Sequence, residues 1–162
     1  VSVNDIRTTE SYINYLYVIS LEDIFYKSDD EDIQFKNMIE NELSKVVFDL
    51  GLKIHKKFGA GLFESVYEEC LFYELKKAGL KKKKQKTLPI IYEELRIENA
   101  FRIDIIVENK LILEIKTVDF INDVHKAQLL TYLKMTNCKL GLLINFRTDI
   151  FKDGVKRVVN GL

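Results

Sequence analysis

The segment from Phe101 to Lys116 alternates so regularly that a two-stranded hairpin is the simplest structure for it. Successive side chains on a strand point to opposite faces. The odd positions Phe101, Ile103, Ile105, Val107, Leu111, Leu113 and Ile115 are all apolar, which predicts one face packed on a core. A turn centred on Asn109 sets Asp104 opposite Glu114 and Ile106 opposite Ile112. Directly opposed side chains have Cβ atoms about 4.5–5.5 Å apart, so two carboxylates there repel unless a cation lies between them. Mg²⁺ takes oxygen ligands and is commonly held by one or two carboxylates with water and phosphate. Lys116 lies two residues past Glu114 on the same face, within reach of the ion's water or of a phosphate. The competing reading makes the even face a solvent face with ion pairs among Arg102, Asp104, Glu114 and Lys116, worth about 0–1 kcal/mol each. Ile106 and Ile112 weigh against a purely solvated face.

Around this hairpin the pattern predicts helices over 37–58 and about 63–78. Their apolar stripes are Ile39, Leu43, Val46, Val47, Leu50, Ile54 and Val66, Tyr67, Cys70, Leu71, Leu75. Gly59-Ala60-Gly61 separates them and Gly79 ends the second. The lysine-rich run Lys81–Lys86 precedes a strand predicted at Leu88–Tyr92. A third helix is expected over about Val124–Met135, then a strand buried on both faces at Leu140–Phe146 and a last strand at Val155–Val159. The order implies an α/β sandwich in which one strand joins an antiparallel hairpin after a crossover helix.

Residues 1–36 read as an extension, with an apolar Tyr12–Tyr17 piece suited to docking or to a dimer contact and an acidic run, Asp29–Asp32. Charge is divided unevenly. Residues 1–50 hold eleven acidic and four basic side chains, a net −7, and residues 51–162 hold fourteen and twenty-one, a net +7. A basic body allows a polyanionic partner without identifying one. Lys81, Lys82, Lys83, Lys84 and Lys86 are candidate phosphate contacts that would not read bases, with a solvated loop as the alternative. Two distant cysteines argue against a disulfide or a zinc site. The apolar stretch Tyr12–Leu21 is too short to span a bilayer and is broken by Asn14 and Ser20, so no membrane association and a cytoplasmic location are expected.

Further polar pairs share helix faces: Glu64 with Glu68, and Gln128 with Tyr132, each spaced i, i+4. Gly61-Leu-Phe-Glu64-Ser-Val-Tyr67, Arg102-Ile-Asp104, Leu113-Glu-Ile-Lys116, His125-Lys-Ala-Gln128-Leu-Leu-Thr-Tyr132 and Gly141-Leu-Leu-Ile-Asn-Phe146 occur in that order. Together they resemble the GxxExxY protein family, a branch of the PD-(D/E)XK nuclease superfamily, over most of residues 40–160. Ile103 stands where that superfamily's name has Pro, and Ala60 where Pro is common between the two glycines. The resemblance implies a restriction-endonuclease-like core over 37–162, a small mixed sheet with helices on both sides. It implies a Mg²⁺- or Mn²⁺-dependent nuclease acting on nucleic acid, with DNA the expected substrate. Glu64 would be the helix-borne acid, Asp104 and Glu114 with the Ile115 carbonyl the metal ligands, and Lys116 the lysine of the (D/E)XK element. Gln128 and Tyr132 resemble a QxxxY motif that orients substrate or site. An inactive nucleic-acid-binding or protein-interaction domain of the same fold is the alternative, because fold alone does not establish function.

Overall fold

The structure, a computed structural model, describes residues 38–162. The predicted extension at 1–36, with its acidic run and apolar piece, lies outside the described residues. Helix α1 (Glu40–Phe58) begins where Glu42 accepts the Ile39 N–H at 3.0 Å. It carries Glu40 and Glu42 in its first turn and His55, Lys56 and Lys57 in its last, complementing the helix dipole. Helix α2 (Glu64–Lys77) follows, then β1 (Lys82–Tyr92), β2 (Leu95–Val107), β3 (Leu111–Lys116), α3 (Asp123–Thr136), β4 (Leu140–Asn145), the one-turn α4 (Phe151–Gly154) and β5 (Val155–Val159). Among the described residues the strands form one sheet of five in the order β1-β2-β3-β4-β5. β3 and β4 are parallel across the α3 crossover and the other neighbours are antiparallel. This is the expected mixed sheet flanked by helices. No helix among the described residues is long and apolar enough to cross a membrane. Cys70 and Cys138 are free thiols.

Each face of the sheet is buried under a different set of helices. Leu129, Tyr132 and Leu133 of α3 pack on Ile106, Ile112 and Leu143. Alternation then directs Leu111, Leu113 and Ile115, all fully buried, to the opposite face, where α1 and α2 contact β3. That side is built on aromatic rings: Tyr67 stacks on Phe146 with centroids 4.2 Å apart, and Phe146 meets Phe151 of α4 at 5.4 Å. β4 is buried along its whole length, as its continuous apolar run predicts. Gly141 in that strand lets α3 approach closely, since a Cβ there would fall 2.7 Å from Cδ1 of the fully buried Leu129. Gly141→Ala should therefore cost about 1–3 kcal/mol through overpacking. Thermal unfolding of the variant checks this, and adding Leu129→Ala should relieve part of the strain.

Four features depart from the sequence expectation. β1 starts at Lys82, so the lysine run lies within the strand instead of preceding it. The ammonium groups of Lys82 and Lys84 lie over the Phe72 ring of α2, 5.3 and 5.8 Å from its centroid, so these two lysines are half-buried against the helix. β2 starts at Leu95, because the β1–β2 ribbon runs on well beyond the part of β2 that β3 covers. The four residues of α4 are too few to show a helical period. Finally, Phe101 and Ile103 do not share a face with Ile105 and Val107. Both pack in the cluster of Ile106 and Ile112, and Phe101 meets the Tyr132 ring edge-on at 5.4 Å. The alternation slips by one between Ile103 and Ile106, at Asp104. Gln85, across from Asp104 between the pairs Lys84–Ile105 and Lys86–Ile103, has a φ of 51°, so the backbone of β1 is distorted there although the register is kept.

Candidate active site

The slip at Asp104 creates the site. β2 and β3 pair through Ile105–Leu113, Ile106–Ile112 and Val107–Leu111, the register expected for a turn at Asn109. That turn carries φ values of 51° and 54° at Glu108 and Asn109 and closes with the Lys110 N–H donating to Val107 O at 3.0 Å. Glu108 is held in this conformation by two bonds to Lys81: its N–H donates to Lys81 O at 2.8 Å and its Oε1 accepts the Lys81 N–H at 2.6 Å. Beyond Ile105 the ladder gives way to side chains. The Ile115 N–H donates to Asp104 Oδ2 at 2.8 Å, and the Asp104 N–H donates to Glu114 Oε1 at 3.4 Å. The two carboxylates thus converge where the strands part. In an extended strand the N–H and C=O of a residue face the same neighbour. The Ile115 carbonyl therefore faces this opening too.

Glu114 is buried, with 2% of its surface exposed. Burial first, and the Asp104 charge second, push its carboxyl up to about 8. Burial also raises Asp104, with the Ile115 N–H and Lys116 opposing. Lys116 Nζ lies 3.5 Å from Glu114 Oε2 and is the nearest cation to this pair of acids. From the other side of the opening, Tyr132 is buried against Phe101 and its hydroxyl accepts from Gln128 Nε2 at 2.7 Å. That bond leaves the phenolic proton free to donate elsewhere. Burial and then the Glu114 charge raise the Tyr132 phenol.

Helix α2 brings a second pair of acids. Glu64 Oε2 accepts the Thr117 N–H at 3.1 Å, capping the end of β3, and its charge contributes to the raised Asp104 carboxyl. Glu68, one turn on, is 8% exposed and accepts from Gln85 Nε2 at 3.4 Å, with Lys84 Nζ at 3.7 Å. Burial and then Asp104 push its carboxyl up. Helix α2 therefore reaches both strands that flank Asp104, through Glu64 at the end of β3 and Glu68 at Gln85 of β1. The start of α2 is fixed by Tyr67, whose hydroxyl donates to Gly59 O at 2.5 Å and accepts the Leu62 N–H at 3.1 Å. Tyr67→Phe leaves both main-chain groups without this partner and should cost about 1–3 kcal/mol, measurable by chemical denaturation.

A family model of the PD-(D/E)XK nuclease superfamily matches residues 41–158. The chain belongs to that superfamily. Neither the curated proteins nor the solved structures compared with the chain gave a match. Membership in the PD-(D/E)XK superfamily implies a nucleic-acid substrate, and its nucleases typically use divalent metals. Among the described residues no group of three or more His, Cys, Asp or Glu is arranged to hold a metal. The donors that do converge are two carboxylates and one main-chain carbonyl. They are hard oxygen ligands, of the number that Mg²⁺ or Mn²⁺ uses while keeping water and phosphate as its remaining ligands. Two buried acids, both raised by burial and Glu114 further by the Asp104 charge, are also what a cation between them would relieve. The residues present therefore fit a divalent ion.

Of the residues singled out in this PD-(D/E)XK chain, Glu64, Asp104, Glu114, Lys116, Gln128 and Tyr132 are brought together. Of the lysine run only Lys84 comes near, through Glu68. Lys82 and Lys84 turn onto α2, where Lys84 also pairs with Glu69, while Lys83 and Lys86 are exposed. The histidines stand apart from the chemistry: His55 Nε2 bonds Thr148 O at 2.8 Å and His125 helps cap α3 through Asn122. Sequence reasoning missed Gln85 and Asn145. Asn145 is 1% exposed, accepts the Val118 N–H at 3.1 Å and donates to Val118 O at 2.7 Å, tying down the loop that leaves β3. Its signal was a single amide inside the apolar run Leu140–Phe146.

Proposed function

We propose that this domain hydrolyses nucleic-acid phosphodiester bonds with Mg²⁺ or Mn²⁺, DNA being the expected substrate. The observation that carries the reading is the replacement of the β2–β3 ladder by the Asp104 and Glu114 carboxylates, with Lys116 beside them. Asp104, Glu114 and the Ile115 carbonyl would hold the ion. A bound divalent cation supplies Lewis acidity toward a phosphoryl oxygen and a water. Lys116 donates to the scissile phosphate or the attacking water and offsets the negative charge that grows during displacement. Tyr132, positioned by Gln128, donates from the α3 side and orients Glu114 or the phosphate. Glu64 completes the outer shell or contributes to a second ion, as neighbours of metal ligands do. Exposed lysines on the body, Lys83 and Lys86 among them, would follow the phosphate backbone, so binding should weaken steeply with salt.

The test is to incubate the full chain with labelled single- and double-stranded DNA and RNA in Mg²⁺, Mn²⁺ or EDTA. Cleavage that EDTA stops and Lys116→Ala removes supports the reading and identifies the substrate class. A wild-type chain that cuts none of these substrates with either metal overturns it in favour of a binding module.

A further inference from the structure

The two most exposed aromatic rings among the described residues belong to residues that neighbour the site along the chain. Phe63 is 83% exposed and Phe120 is 72% exposed, ahead of Tyr92, Tyr73 and Phe58. Phe63 immediately precedes Glu64, and Phe120 lies three residues past Thr117. Glu64 and Thr117 are hydrogen-bonded to each other at 3.1 Å. Both residues thus branch from backbone close to the point where α2 meets the end of β3. Each is presented by an anchored backbone. Phe63 is the residue that starts α2, its carbonyl accepting the Val66 and Tyr67 N–H groups. Phe120 sits between Val118, held by two bonds to Asn145, and Ile121, which packs on the α3 core. Holding rings in water while their neighbours are tied down forgoes burial that either Phe could otherwise gain. Such rigid, exposed rings beside a phosphate-handling site suit unpaired bases, because every base has a π-face and stacking needs no sequence.

We infer that Phe63 and Phe120 are stacking platforms for unpaired bases, so that the preferred substrate is single-stranded nucleic acid or a frayed end. The inference rests on the nuclease reading above for its substrate, and it narrows that substrate. Base-paired duplex offers no free π-face at its middle and would not use these rings.

The test uses the full chain carrying Lys116→Ala, so that bound strands stay intact, with single-stranded DNA bearing 2-aminopurine and a blunt duplex of the same sequence. Binding of the single strand should quench 2-aminopurine. Phe63→Ala and Phe120→Ala should each weaken single-strand binding about tenfold and relieve the quenching, with duplex binding little changed. Circular dichroism of each variant establishes that it is folded. Equal loss on single strand and duplex, or quenching that survives both substitutions, overturns the inference. The outcomes separate from those of the nuclease reading. Stacking lost with the rings in a chain whose wild type cuts nothing would sink hydrolysis and keep this inference. Single-strand cleavage insensitive to either ring would do the reverse.

Discussion

Lys116→Ala should lower the rate of nucleic-acid cleavage by about 10²–10³-fold while leaving the domain folded and still able to bind its substrate. The magnitude is that of removing one preorganised donor from a site where charge develops in the transition state. The structure makes Lys116 well suited to such a role. Its ammonium lies 3.5 Å from Glu114 Oε2 with 15% of its side chain exposed, so it is largely withdrawn from water and held beside the acids. An interaction made with growing charge counts toward turnover more than toward binding, so kcat should fall and KM should move little. Single-turnover cleavage of a labelled strand, with binding measured separately, reads the two effects. A variant that keeps more than about a tenth of the wild-type rate would remove Lys116 from the chemistry.

Glu114→Gln should abolish cleavage and yet stabilise the domain in EDTA at alkaline pH. The sign follows from linkage. The unfolded chain releases the Glu114 proton near the ordinary value of 4.5, whereas in the fold burial and Asp104 hold it to about 8. Between these values the folded state binds more protons, so the stability present below pH 4.5 is lost as pH rises, and the loss is complete above about 8. Asp104 is raised as well and acts in the same direction. Gln cannot ionise, so the buried charge that costs the wild type stability at alkaline pH never forms. In EDTA the wild-type Tm should therefore fall between pH 5 and pH 8.5, and the variant should be flatter and higher at pH 8.5. The difference should be roughly 2–5 kcal/mol, or about 10 °C. Mg²⁺ should restore the wild type, since a cation that binds the folded ionised pair stabilises by mass action, and it should do little for the variant. A wild-type Tm that is flat across this range would show that Glu114 already ionises normally in the metal-free fold. Such a site has traded stability for function, as active sites commonly do.

Much of this domain was legible before the fold was in view. Strict alternation through Phe101–Lys116 and the turn residue Asn109 set the hairpin register, and the observed pairs Ile105–Leu113 and Val107–Leu111 follow it. The apolar run Leu140–Phe146 announced a strand buried on both sides, and helical spacing placed α1, α2 and α3 within a few residues of their ends. These are local signals, because side-chain period and turn chemistry are written in neighbouring residues. The membership of Glu64, Asp104, Glu114, Lys116, Gln128 and Tyr132 in one set came from motif order.

What the tertiary structure alone decided is how that set meets. Period-two alternation cannot foresee that a strand will slip at Asp104, because the slip falls where β3 stops pairing with β2 while β1 continues, a feature of the assembled sheet. Without the slip, Phe101 would lie on the face away from α3. With it, Phe101 meets Tyr132 and the Asp104 carboxylate takes the place of a ladder bond to Ile115. The lysine run shows the same limit, since five like charges read as solvated until Phe72 and Glu68 of α2 are there to cover Lys82 and Lys84. Burial of Glu114, the source of its raised pKa, likewise belongs to no local pattern. It arises because the packed sheet and helices exclude water from one carboxylate. The sequence by itself determined which strands and helices form and which residues can do chemistry. Only their packing, which sets distance, desolvation and charge, made those residues a site.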